Sequence, residues 1–164
     1  EYSDKLTFDI TKFLTMCTSQ NLSQSHATKV TNMFLVVSEL EDICDNCYRI
    51  VKVLQRKFRN KISFEKETLD EMLALANQVE DFMVFTKKHI NKPVTAEIME
   101  SAMIHKKSIR QRLKALRQDL TEKMHSTGNI DPGMLALDTL THLKYISNEH
   151  LNILQAQAHS DDVR

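Results

Sequence analysis

Glycine and proline are almost missing from this chain of 164 residues, which has two of each and no tryptophan. Folds built from many short strands need such residues as punctuation, and no apolar–polar alternation bounded by turn clusters is visible. No run approaches the ~18 apolar residues that cross a bilayer as a helix, and the start does not read as a signal peptide. An excess of one charge is missing too: Lys+Arg and Asp+Glu are both 22, for a formal net charge of zero. A nucleic-acid binder displaces counterions with a basic face. The densest basic stretches, Arg56 to Lys61 and Lys106 to Arg112, are short and lack interleaved aromatics. No nucleic-acid partner is expected.

Cysteine is scarce and odd in number: Cys17, Cys44 and Cys47. That excludes a disulfide framework and suits a reducing compartment. Cys44 and Cys47 could form half of a zinc or redox site, but a closed zinc site takes about four ligands and no second C-x-x-C exists. They are read as small core residues. Catalytic signatures are absent as well: no G-x-S-x-G, glycine-rich phosphate loop or H-E-x-x-H, and no paired E-x-x-H of a di-iron bundle. No enzyme is expected. The seven histidines, His26, His89, His105, His125, His142, His150 and His159, show no three-ligand spacing, and His105 and His150 read as core or boundary residues.

What remains is helical. Leu, Met, Lys, Glu, Gln and Ala lose little side-chain freedom in helices, so the chain reads as one all-α domain, an antiparallel bundle of about five long helices. Breakers divide it into segments at 2–19, 22 or 23–60, 64–90, 96–125 and 132–158. Ser63 is expected to cap the third segment and Thr95 the fourth, Gly128 to end the fourth, and Asp131-Pro132 to open the fifth. In the second segment Val30, Met33, Val37, Leu40, Cys44, Cys47, Val51, Leu54 and Phe58 recur at threes and fours, an apolar seam widened by Val36, Ile43 and Ile50. Leu69, Met72, Ala76, Val79, Phe82, Met83, Thr86 and Ile90 form the third segment's seam. Ile98, Ala102, Ile109, Leu113, Leu116, Leu120 and Met124 form the fourth's.

The second and fifth segments align at an offset of 103: Leu40 with Leu143, Ile43 with Ile146, Cys44 with Ser147, Asp45 with Asn148, Ile50 with Ile153 and Val51 with Leu154. Asp9 to Leu14 echoes Asp119 to Met124. A duplicated three-helix unit is the simplest reading. Residues 64–160 would be a whole second unit, and residues 1–60 the remnant of a first unit missing its opening helix. The start at Glu1 without methionine reads as a fragment of a larger protein.

The run Glu39-Leu40-Glu41-Asp42-Ile43-Cys44-Asp45-Asn46 resembles the E-L-E-R-I-G-D-H signature of PhoU-type helical domains. The likeness extends over most of the chain and is nearest to the C-terminal PhoU-like domain of bacterial sodium/phosphate cotransporters. The resemblance implies a cytoplasmic regulatory or accessory domain of an inner-membrane transporter. It would dock helix faces against the membrane part of the same transporter, a second copy or a signalling protein. It also implies a metal motif, E/D-x-x-x-D, matched by Glu41 and Asp45. Two carboxylates one turn apart offer hard oxygen ligands to a divalent or iron-type ion. The second copy departs from that motif, with Lys144 and Asn148 at the matching positions, so no cofactor is expected; Lys144 is instead expected to place its ammonium near Glu41 and Asp45. The alternatives are a metal-binding PhoU-type regulator of phosphate-uptake signalling and a ligand-free helical spacer.

Overall fold

The computed structural model describes residues 2–161, with side chains described for residues 2–158. Five helices follow one another: α1 (Tyr2–Thr18), α2 (Gln24–Arg59), α3 (Lys66–His89), α4 (Ala96–Thr127) and α5 (Ile130–Asp161). The all-α bundle expected from composition is what forms. No helix among the described residues is long and apolar enough to cross a membrane.

Local chemistry sets most boundaries. Ser23 caps α2, its hydroxyl accepting from the His26 amide at 3.3 Å. Thr95 caps α4 in the same way through the Ile98 amide. Each satisfies one of the first-turn donors that an α-helix leaves without an internal partner. Gly128 ends α4 at φ +68°, donating its amide to the Met124 carbonyl; a side chain is strained there. Two boundaries differ from expectation. Ser63 does not cap α3, which starts after Glu65 with no side-chain cap. Helix α5 begins at Ile130, so Asp131 and Pro132 already lie in its first turn, where proline's missing N–H has no intrahelical role to lose.

Helix α5 is the axis of the bundle. It packs against α2, α3 and α4, and α1 packs on α2. Cross-links such as Glu39–Asn152 and Arg56–Asp138 show that α2 and α5 run antiparallel. Leu140, Ile153, Leu154 and Ser147 on α5 are fully buried, joined in the core by Leu75 and Phe82 of α3 and by Ala102 and Ile109 of α4. A buried face this wide is more than one neighbouring helix can cover.

The seams of α3 and α4 are largely those expected, except that Leu69 and Met83 are exposed. Helix α2 is different. Its buried residues are Ile43, Asn46 and Val53, with Val36 and Ile50 packed partly against the core. The expected seam is therefore rotated one residue out of the core: Met33, Leu40, Val51 and Phe58 are exposed, and so are Cys44 and Cys47. The core reading of the two cysteines is corrected accordingly. The strip that faces α5 is interrupted by polar Glu39 and Asn46, whose partners lie on α5, so the more uniformly apolar strip next to it was not the buried one.

Val51 and Leu154 occupy matching positions but opposite environments, 48% and 0% exposed. Leu154→Ala should destabilise the protein by about 2–5 kcal/mol, the cost of a cavity in a close-packed core. Val51→Ala should change stability by no more than about 0.5 kcal/mol. Urea unfolding followed by far-ultraviolet circular dichroism measures both.

Candidate functional site

The α2–α5 contact is polar at its centre. Asn46 donates through Nδ2 to Glu149 Oε1 at 3.1 Å and to the Asp42 carbonyl at 2.9 Å. Its Oδ1 lies 2.9 Å from His142 Nδ1. Asn46 and Glu149 are separated by 103 residues, the offset that aligns the two helices. Residues matched by the offset thus touch each other where the helices meet, as a local twofold between α2 and α5 would require. Flanking pairs follow the same relation. Glu39 binds Asn152, while Arg49, matching Asn152, acts electrostatically on His142, matching Glu39.

Burial dominates the electrostatics here. It raises the Glu149 carboxyl to about 7, aided by Asp42 and Glu39 and opposed by Lys106. Oε2 of Glu149 has no hydrogen-bond partner among the described residues. Next to it, His150 is buried with neither ring nitrogen bonded, and burial lowers it to about 4. Its ring meets Phe82 edge-on at 5.9 Å, and His105 stacks on the same phenyl ring at 5.4 Å. Both histidines serve the core, as their apolar positions indicated. His159 lies outside the residues whose side chains are described.

On the other side of α5, Lys106 of α4 reaches Ser147 Oγ at 2.7 Å and the Asn148 side-chain oxygen. Burial lowers the Lys106 ammonium to about 8; the cations Lys144 and Arg110 add to the shift, and Glu149 opposes it. Sequence reasoning missed Lys106 as a partner of Ser147 and Asn148, because nothing in α4's own pattern says which α5 residues it meets.

Glu41 and Asp45 stand one turn apart on α2, Glu41 half-buried and Asp45 exposed. Asp45 lies 3.9 Å from Arg49. Lys144 is not beside them; its ammonium sits 5.7 Å from the centre of its neighbour Tyr145's ring. The antiparallel crossing explains the correction. With Asn46 opposite Glu149, residue 144 lies against the part of α2 beyond the crossing, roughly 15 Å along the axis from Glu41 at 1.5 Å per residue. The donor set does not fit the metal motif well: two carboxylates, one drawn to a guanidinium, and an Asn148 oxygen already accepting from Lys106. Among the described residues no group of three or more His, Cys, Asp or Glu side chains is arranged to hold a metal ion.

A second feature is the uncovered side of α2. Leu40, Cys44, Cys47 and Val51 are exposed, whereas their offset partners Leu143, Ser147, His150 and Leu154 are all buried. On α5 those positions are covered by α3, through Phe82 on His150, and by α4, through Lys106 on Ser147. On α2, among the described residues, α1 alone provides a comparable neighbour. An apolar groove continues the strip between α1 and α2, lined by Phe13, Leu14, Met33, Val36 and Val37.

These features define a helical bundle with a polar helix crossing and an open apolar helix face. No protein-family model, curated protein or solved structure matches the chain.

The Glu149 shift has a sign that can be measured. The folded carboxyl keeps its proton to about 7 against an ordinary value of 4.5, so the folded state binds more protons across that window and loses stability as pH rises through it. His150, lowered from 6.5 to about 4, acts oppositely: the unfolded state binds more protons between those values, and stability rises with pH there. The two slopes largely cancel in the wild type. Glu149→Gln, which keeps an acceptor for Asn46, should remove one of them. Its stability relative to wild type should increase from pH 5 to pH 8 by on the order of 1–3 kcal/mol, read from urea midpoints at the two pH values.

Proposed function

We propose that this chain is a PhoU-like regulatory or accessory domain of a sodium-dependent phosphate transporter, acting by helix-face docking and not by catalysis. It lies on the cytoplasmic side of the inner membrane. One observation carries the docking part: the strip Leu40, Cys44, Cys47 and Val51 on α2 is open where the matching strip on α5 is covered. If residues 2–59 and 66–158 are two copies of one three-helix unit, the first lacks the counterpart of α3. An amphipathic helix from the same transporter polypeptide would lie on α2 as α3 lies on α5. Covering exposed apolar surface yields about 25 cal/mol for each Å² removed from water, and Leu40 and Val51 on this strip are 41% and 48% exposed. The E-L-E signature and the offset of 103 support the family part of the reading.

Cys44 and Cys47 make the strip its own reporter. In the isolated chain the Cys44 thiol should react readily with a maleimide, and Cys47 more slowly because burial raises its thiol pKa. In membranes holding the parent transporter they should react at least about tenfold more slowly, since docking worth ~1.4 kcal/mol already closes the face that far. Equal rates in the two settings would refute docking at this face, and slow labelling of the isolated chain that speeds up on dilution would assign the face to a second copy. Leu40→Asp with Val51→Asp should alter sodium-dependent phosphate uptake several-fold in the parent while leaving the isolated domain folded. Unchanged uptake with normal membrane levels would remove the transporter reading.

A further inference from the structure

The basic stretch at Lys106 to Arg112 is divided by the fold. Arg112 turns toward α3 and pairs with Glu71 at 2.8 Å, and Lys123 further along pairs with Glu67 and Asp119. Lys106 and Arg110 turn the other way. They line a groove between α4 and α5 together with Lys114, Arg117 and, from α5, Lys144. Among the described residues none of these five cations forms an ion pair with a carboxylate. Arg117 is hydrogen-bonded to the neutral Thr141 hydroxyl at 2.8 Å, and Lys106 to Ser147 and Asn148.

The spacing makes a row. Residues 106, 110, 114 and 117 lie three and four apart, on one helix face, and span roughly 16 Å at 1.5 Å per residue. Lys144 adds a cation from the facing wall, and Leu113 forms part of the lining. Like charges one turn apart repel, and that repulsion joins burial in lowering the Lys106 ammonium toward neutrality. The groove volume of about 480 Å³ is of the size that small-molecule sites occupy, ~300–1,000 Å³.

We propose that the α4–α5 groove binds a small polyvalent phosphate anion, with Lys106, Arg110, Lys114, Arg117 and Lys144 holding its oxygens. The chemistry selects this ligand. Guanidinium groups match phosphate oxygens with two parallel hydrogen bonds, and lysines add point charge. A row of this length is matched by linked anionic groups, not by a single carboxylate. Single-stranded nucleic acid is disfavoured because no aromatic side chain lines the groove to stack a base. The site is separate from the α2 strip and does not depend on the transporter reading.

Calorimetric titration of the purified chain with tripolyphosphate at low ionic strength tests the proposal. Binding should be one-to-one and weaken as salt is raised. Arg110→Gln with Arg117→Gln should weaken it by about tenfold for each charge-assisted hydrogen bond removed, with the helical circular dichroism unchanged. Lys107→Gln, outside the groove, should leave binding as it is. A parallel arm uses vesicles carrying phosphorylated inositol lipids: retention there that disappears in the double variant, without tripolyphosphate binding, assigns the same phosphate chemistry to a headgroup and supports the site. Tighter binding of a short oligothymidylate than of tripolyphosphate, no binding in either arm, or binding indifferent to the arginine variants would each overturn it.

Discussion

The whole structure depends on the burial of α5. This helix carries Leu135, Ala136, Leu140, Leu143, Ile146, Ile153 and Leu154 in the core, with Ser147, Glu149, His150 and Ala156 buried beside them, and it packs against three other helices. A helix with one narrow apolar stripe needs one neighbour; a helix whose buried face takes in more than half of its circumference needs a shell of several. Helices α2, α3 and α4 supply that shell, and α1 is attached through α2.

The shell also has to receive the polar groups that α5 brings inside. Ser147 is met by Lys106, Glu149 by Asn46 and His150 by the Phe82 ring. Buried polar groups are tolerated when hydrogen-bonded and costly when not, so these interactions restrict which register of α2 and α4 the helix accepts. The arrangement is incomplete: one Glu149 oxygen and both His150 nitrogens lack partners among the described residues. The physical response is a shift in protonation, with Glu149 held toward its neutral acid and His150 toward its neutral base. In each case burial favours the uncharged form, because a charge there would have to be desolvated without a partner.

The outer surfaces follow from the same packing. Because α2 turns its polar-interrupted strip inward, its more continuous apolar strip is left outside, next to the groove with α1. Because α4 lies against both α3 and α5, its cations divide between paired residues facing α3 and an unpaired row beside α5. One surface suits an amphipathic helix and the other an anion. They rest on α2 and α4, two helices that do not pack against each other. A ligand on one therefore meets the other only through α5.

Much of this was legible in the residues themselves. The five helices, the cap at Thr95 and the stop at Gly128 depend on propensity and on hydrogen bonds within a few residues, which sequence expresses directly. The seam of α4 was legible because its apolar residues lie on a single face. The face of α2 was not: two apolar strips lie side by side there, and only the positions of Glu149, His142 and Asn152 make the strip with Asn46 and Glu39 the inner one. The same holds for Lys144, whose match to Glu41 in the alignment places it at the far end of an antiparallel pair. Local pattern determined which segments are helices and most of where they end; the partners of buried polar side chains, contributed by residues some hundred positions away, decided which side of α2 faces inward.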